Sequence, residues 1–258
     1  QAEDGIRDKR GGLVGSEMCI RDRSIGVGQF VHAIRRNLNM CYLIENNGVY
    51  GLTKGQFSAS ADIGTLPKKG LPNQQEPIDP VSTALSLGAT YIARSFSGDK
   101  EQLVPLIKGA IVHSGFSLVD IISPCVTFND HEGSTKSYQH TRDHYNHVSD
   151  IDYVHPTKQV EVSYEEGERM PIKLRGGDTI VLRKLDREYD PTSRADAFKY
   201  LRDRFNAGEI TTGLLYVNET RTEMHELMQN TDTPLSQLPY EGLHPGSGEL
   251  RKLQKRFR

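Results

Sequence analysis

The sequence predicts an α/β fold: a parallel sheet flanked by helices, followed by a smaller α+β extension. Three observations predict it. Continuous apolar runs of strand length alternate with segments of helical length as far as residue 122, the order of elements that builds a parallel sheet. The apolar runs are unbroken, as they are in strands covered on both faces. After Pro156 the pattern changes to short β-like segments, which places a boundary near residue 157 between a core at 24–156 and an extension at 157–258.

Residues 24–37 (SIGVGQFVHAIRRN) read as a helix, with Ile25, Phe30, Val31 and Ile34 at mixed spacings of 3 to 5. Arg35 and Arg36 suit the negative end of its dipole. Residues 40–44 read as a buried strand that stops at Glu45-Asn46-Asn47-Gly48. Residues 51–80 form a long loop rich in Gly, Pro, Ser and Lys, and loops of that length are usually functional or mobile. A short helix at 81–87 closed by Gly88, a strand at 90–94, a helix at 102–113 closed near Gly115 and a strand at 116–122 complete the core,. That strand runs into Ser123-Pro124-Cys125. In a sheet of this kind a site is expected beyond the carboxyl ends of the strands. In the extension, 160–164, 171–174 and 179–182 read as β segments, 194–205 as a helix and 213–217 as a last strand. The basic tail after Pro245 reads as an exposed helix with a solvated face.

Composition sets limits on partners. With 32 Lys+Arg against 34 Asp+Glu the formal net charge is -2, so no overall basic field recruits nucleic acid or an anionic membrane. The longest apolar stretches fall far short of the roughly 20 residues of a membrane-spanning helix. Cys19, Cys41 and Cys125, separated by 22 and 84 residues, form neither a disulfide framework nor a C-x-x-C pair. A reducing compartment, the cytoplasm, is expected.

Residues 1–23 (QAEDGIRDKRGGLVGSEMCIRDR) stand apart. They repeat Ile-Arg-Asp at 6–8 and 20–22, lack an apolar period and carry five basic and five acidic residues, so neither a signal nor a transit peptide fits. The stretch resembles a sequencing-library adapter translated in frame, with residues 9–12 as its index. It is expected to be non-native and disordered; the alternative is a genuine polar arm.

Four groups of residues have chemistry to offer. Glu45-Asn46-Asn47-Gly48-Val49-Tyr50 follows a buried strand, and Asn-Gly between apolar runs is on local grounds a hairpin turn. The alternative is a functional loop at the strand end. Lys54, in Leu52-Thr53-Lys54-Gly55-Gln56, is a point charge suited to a carboxylate or a phosphate, or simply a solvated lysine. Cys125 is a small buried hydrophobe or a metal-cluster thiolate. His140, His144 and His147 would share one face of a helix and hold zinc, or lie on a charged surface segment with Lys136, Arg142 and Asp143. Gly26-Val27-Gly28 is a weak phosphate fingerprint, and close helix packing is the plainer explanation. No Walker loop, H-E-x-x-H or Ser-His-Asp spacing appears.

The stretch SIGVGQFVHAIRRNLNMCYLIENNGVYGLTKGQFSASADIGT and the run SPCVTFNDHEGSTKSY resemble the β subunits of thiamine-diphosphate-dependent 2-oxoacid:ferredoxin oxidoreductases, over about residues 24–240 and most like the 2-oxoglutarate type. The resemblance implies a thiamine-diphosphate-binding fold and reverses the hairpin preference at Asn47-Gly48. It implies that Asn47 (side chain) and Val49 (carbonyl) hold Mg2+, and that Ser24, Ile25, Gly26, Tyr50, Gly51, Leu52 and Thr53 line the cofactor. Lys54 would serve the substrate carboxylate or coenzyme A, and Cys125 would be the last ligand of a [4Fe–4S] cluster. Cys41 is assigned to the core.

In the family Ser-Ile-Gly follows Gly-Asp-Gly-Asp; here positions 18–23 hold Met18 to Arg23, so the Mg2+-binding Asp and the upstream cluster cysteines are missing. The implied activity is oxidative decarboxylation of a 2-oxoacid to acyl-coenzyme A, with electrons passed to ferredoxin. The residue that activates the cofactor is expected on a partner α subunit, so this chain alone would be inactive. The rival readings are a pyruvate-type β subunit, a non-redox thiamine-dependent decarboxylase or synthase, and a non-catalytic histidine-rich metal-binding module. Iron and acid-labile sulfide analysis separates the ferredoxin-linked enzymes from the non-redox one; loss of zinc on His140→Ala and His144→Ala identifies the metal-binding module.

Overall fold

The computed structural model describes residues 6–7, 13–17, 26–154, 169–173, 179–184, 189–231, 233, 235–244 and 246–257. In chain order these form β1 (Ile6–Arg7), β2 (Leu13–Glu17), α1 (Val27–Arg36), β3 (Met40–Asn46), β4 (Val49–Tyr50), β5 (Gln56–Phe57), α2 (Pro80–Leu87), β6 (Tyr91–Phe96), α3 (Lys100–Val112) and β7 (Phe116–Ile122). There follow α4 (Tyr138–Asp143), β8 (Tyr145–His147), β9 (Ser149–Val154), β10 (Arg169–Lys173), β11 (Thr179–Lys184), α5 (Arg194–Asn206), β12 (Ile210–Val217), α6 (Met224–Leu227), a 3-10 turn (Leu235–Gln237), α7 (Tyr240–Leu243) and α8 (Gly246–Lys255).

The main sheet has the order β1-β2-β3-β7-β6-β12-β8. Strands β2, β3, β7 and β6 run parallel, in register Met40↔Phe116 and Tyr91↔Ser117. The predicted parallel core is present. β7, buried along its whole length, sits in the middle because every one of its side chains needs cover. On one face, Phe30 and Ile34 of α1, Val81, Ala84 and Leu85 of α2, and Ala197 and Leu201 of α5 pack against Ile44, Ile92, Phe116 and Leu118. On the other, Leu106 and Ala110 of α3 meet Tyr91, Val119 and Ile121. Each large apolar side chain so buried stabilises the fold by about 1.5–3 kcal/mol.

Local signals set the helix ends. Asp79 caps α2, accepting from the Ser82 backbone N–H at 2.9 Å, with Pro80 in the first turn and Gly88 closing the helix at φ +81°,. α1 ends at Arg35 and Arg36 as predicted and starts at Gly26 without a side-chain cap.

Two expectations are corrected. The boundary near residue 157 is not where the chain divides: one compact unit runs to Met224 and a second covers 225–258. The reason is β12, which inserts antiparallel beside β6 and makes part of the supposed extension an element of the core sheet. β9, β10 and β11 form a separate antiparallel sheet. The predicted strand at 160–164 lies outside the described residues. The disorder expected of residues 1–23 does not hold for β1 and β2: Leu13–Glu17 pairs parallel with Met40–Ile44. The open edge of β3 offers unpaired backbone groups that an extended segment satisfies. In the second unit α8 exposes Leu250 and Leu253, and Phe257 just beyond it is exposed too, in keeping with the exposed tail helix predicted. No helix among the described residues is long and apolar enough to cross a membrane.

Candidate functional site at the strand carboxyl ends

β3 and β7 end side by side, and the ladder continues one step past the end of β7, with the Ser123 N–H donating to the carbonyl of Asn46, the last residue of β3, at 3.1 Å. The Asn47 loop and the Cys125 loop therefore leave the sheet from adjacent positions. Asn46 points into the protein and is 3 % exposed. Its Nδ2 donates to Asp120 Oδ1 at 3.1 Å and its Oδ1 accepts from Ser60 Oγ at 2.7 Å. Asp120, fully buried in β7, also accepts from Arg94 Nε at 2.8 Å, and Arg94 pairs in turn with the α2 cap Asp79. Burial alone would disfavour the guanidinium charge, but these two carboxylates outweigh it and raise the Arg94 pKa,.

Asn46 is held on both sides, and Asn47, which follows it, is half-buried. Its Oδ1 accepts from the Val49 N–H at 3.0 Å and its carbonyl accepts from Asn129 Nδ2 at 2.8 Å. Gly48 is at φ +75°, and a Cβ there would stand 3.0 Å from Asn129 Nδ2 and 3.2 Å from Lys136 Cγ, so both conformation and space require glycine. The Gly48 carbonyl accepts from the Ser58 N–H at 3.0 Å.

Asn47-Gly48 is not a hairpin turn. β4 pairs with β5, Val49 opposite Phe57 and Tyr50 opposite Gln56, and not with β3. The connection is the predicted Gly51-Leu52-Thr53-Lys54-Gly55 segment. Thr53 Oγ1 donates to the Tyr50 carbonyl at 3.2 Å; Lys54 stands at φ +64° and is exposed, as Leu52 is at 83 %. Gly55 lies against Phe128: a Cβ on the glycine would stand 3.3 Å from the Phe128 Cβ, so this tip packs on the Cys125 loop. That loop is a tight turn in which the Cys125 carbonyl accepts from the N–H groups of Phe128 (3.1 Å) and Asn129 (2.7 Å). Cys125 is half-buried and free. Cys41 is in the core, where burial pushes its thiol up to about 12.

Asn47, Val49, Tyr50, Gly51, Leu52, Thr53, Lys54 and Cys125 are thus brought together. Ser24 and Ile25 lie outside the described residues. Gly26 caps α1, whose N-terminus lies at the same end of the sheet as Asn46 because α1 connects the parallel strands β2 and β3. No acidic residue occupies its first turn.

The zinc reading fails on geometry. His140 and His144 stack at 4.0 Å, but α4 ends at Asp143 and His147 lies on β8, where it meets Gln102 Nε2 at 3.3 Å. Among the described residues no group of three His, Cys, Asp or Glu could hold a metal.

A cavity of about 400 Å3 opens behind the Asn46 side, lined by Asn46, Asp62, Arg94, Asp120, Lys136 and His140 among others. Neither Asn47 nor Cys125 lines it, so the loops' outer face and this cavity are separate features. Lys136 Nζ donates to Asp62 at 2.9 Å. Burial would raise the Asp62 pKa, but the Lys136 ammonium and the Thr135 hydroxyl outweigh it and hold the carboxyl below its usual range. Arg94, Asp120, Asp62, Lys136 and Asn129 are not among the sequence-derived candidates. A charged residue inside each of the apolar runs YIARSF and FSLVDII is the available signal, because a buried charge needs a partner.

Residues 24–121 match the model of the thiamine pyrophosphate enzyme C-terminal TPP-binding domain. The chain is 44% identical over 122 residues to the 2-oxoacid:ferredoxin oxidoreductase subunit beta of Saccharolobus solfataricus, covering 46% of this chain and 38% of that protein. Over that stretch the chain is similar to 2-oxoacid:ferredoxin oxidoreductase β subunits. It is also 40% identical over 108 residues to the 2-oxoglutarate oxidoreductase subunit KorB of Mycobacterium tuberculosis, covering 42% of this chain and 29% of that one. Among solved structures it resembles a 2-oxoglutarate:ferredoxin oxidoreductase from Magnetococcus marinus with 2-oxoglutarate, coenzyme A and succinyl-CoA bound. That likeness has a TM-score of 0.63 and 26% identity, over 94% of this chain and 66% of the other. The chain spans well under two thirds of the curated β subunits it matches. Residues 24–121 take in the Asn47 turn and the β4–β5 hairpin, and the fold is the thiamine-diphosphate-binding one that the resemblance implied.

Proposed function

We propose that this chain is the β subunit of a 2-oxoacid:ferredoxin oxidoreductase of the 2-oxoglutarate type, working with an α subunit to make acyl-coenzyme A and pass electrons to ferredoxin. The observation that carries this is the side-by-side exit of the Asn47 and Cys125 loops at the strand carboxyl ends of a thiamine-pyrophosphate-binding domain.

The residues present fit the implied groups. Asn47 Oδ1 accepts one hydrogen bond within its turn, and a carboxamide oxygen has a second lone pair to give. With the Val49 carbonyl it supplies hard oxygen ligands of the kind Mg2+ takes. The uncapped, acid-free start of α1 suits a diphosphate. Cys125 supplies one thiolate toward a [4Fe–4S] cluster, which takes four; the buried Cys41 is not a second. When bound, thiamine diphosphate supplies the electron sink for loss of carbon dioxide.

The chain's own residues hold and orient. Asp120 and Ser60 fix Asn46 at the root of the Asn47 turn, and the β4–β5 hairpin projects Lys54 from the same end of the sheet, where an ammonium suits a substrate carboxylate or a coenzyme A phosphate.

The test is an assay of the full-length β chain assembled with its α subunit, following reduction of ferredoxin with coenzyme A and either 2-oxoglutarate or pyruvate. Turnover on 2-oxoglutarate is expected, with Lys54→Ala lowering kcat/KM by about 10- to 100-fold, the loss of one charged hydrogen bond. Turnover of neither acid by an assembled, cofactor-loaded complex refutes the proposal.

A further inference from the structure

Asn129 stands between the two loops. Its backbone N–H donates to the Cys125 carbonyl at 2.7 Å and its Nδ2 to the Asn47 carbonyl at 2.8 Å. The residue is 1 % exposed, and its Oδ1 has no hydrogen-bond partner among the described residues. An unmatched buried carboxamide oxygen is costly, yet only this orientation aims an N–H at the Asn47 carbonyl. Turning the amide over would set oxygen against oxygen. The residue is wedged as well as bonded, since its Nδ2 marks the wall that excludes any side chain at Gly48. Its own carbonyl accepts from Ser134 Oγ at 2.9 Å, which anchors it to the following loop.

We propose that Asn129 is a positioning residue that couples the two loops, so that whatever is bonded at Cys125 sets the placement of the Asn47 carbonyl and, with it, the cation-binding oxygens of Asn47 and Val49. This rests on the reading of Asn47 and Cys125 given above. The link through the Cys125 carbonyl is made by backbone and survives substitution; the link to Asn47 is made by side chain and does not. Removing the side chain therefore uncouples the loops without cutting either from the sheet.

The experiment uses the assembled complex with Mn2+ as a paramagnetic substitute for Mg2+, its binding in the presence of thiamine diphosphate being read by EPR of free Mn2+. Asn129→Ala is expected to weaken Mn2+ binding about tenfold, as loss of one hydrogen bond to a buried carbonyl would. Cys125→Ser is expected to weaken it severalfold when Asn129 is present and to have no further effect in Asn129→Ala, the non-additivity of two coupled sites. Should Asn129→Ala fail to assemble, Asn129→Ser is read in its place.

Mn2+ affinity within about twofold of wild type in a folded Asn129 variant, a difference too small for a lost hydrogen bond, overturns the coupling. So do equal effects of Cys125→Ser in both backgrounds. Wild-type complex that binds no Mn2+ with thiamine diphosphate overturns instead the reading on which the coupling rests, and is distinguished by appearing before any substitution is made.

Discussion

Asp62 and Lys136 form a half-buried pair between the long loop and the segment after Cys125. Because the folded protein holds the Asp62 carboxyl below its unfolded pKa, the pair contributes stability above about pH 4, and that contribution is lost as the pH falls through the folded pKa. Thermal unfolding of the wild type and Asp62→Asn across pH should show a constant gap near neutrality that closes in acid. A gap unchanged into strong acid would mean that the carboxylate charge is not what matters. Single residues are unevenly legible in the sequence. Asn47, Lys54 and Cys125 stand out through the family resemblance of the runs they sit in; on local grounds they read as a hairpin turn, a solvated lysine and a small buried hydrophobe. Asn129 and Lys136 do not stand out, because their roles depend on contacts across 82 and 74 positions that no local pattern encodes. Thr90, His113 and Glu219 are equally hidden and, once seen, equally easy to misread. His113 Nε2 lies 2.8 Å from Thr90 Oγ1 and Nδ1 lies 2.6 Å from Glu219 Oε1, the connectivity of a hydrolase triad. Thr90 is fully buried and donates onward to Asn37 Oδ1 at 3.0 Å, so the set pins α1, β6, α3 and the segment after β12 together.

At the scale of elements, the alternation of strands and helices up to β7 can be read because each core strand is an apolar run closed by turn residues. The place of β12 cannot, since an antiparallel insertion beside β6 is a non-local pairing. It depends on Gly213, at φ +114°, where a Cβ would come 2.3 Å from the Ser149 carbonyl oxygen. Ser149 Oγ also accepts from the Leu214 N–H at 2.9 Å and donates to its carbonyl at 3.0 Å. Gly213→Ala combines backbone strain with a clash against main chain and should destabilise the fold by about 3 kcal/mol or more in chemical denaturation. A loss below about 1 kcal/mol would show that β12 is not held this closely.

For the whole molecule, the resemblance implied a fold and an activity, and the comparisons bear out the fold and a likeness to those β subunits over part of the chain. Packing then accounts for why the site lies where it does: β3 and β7 are adjacent, parallel and equal in reach, so the loops that follow them begin together. The proposed function depends on the half-buried Asn47 turn serving as one half of a Mg2+–diphosphate site whose acidic half belongs just before Ser24. Calorimetry with thiamine diphosphate and Mg2+ tests this most directly, on the chain as given and on a variant with Gly-Asp-Gly-Asp in place of Ile20-Arg21-Asp22-Arg23. Weak binding is expected of the first and Mg2+-dependent binding of the second, lost again with Asn47→Ala. Tight Mg2+-dependent binding by the unaltered chain, or binding by the variant that Asn47→Ala leaves intact, would contradict that assignment.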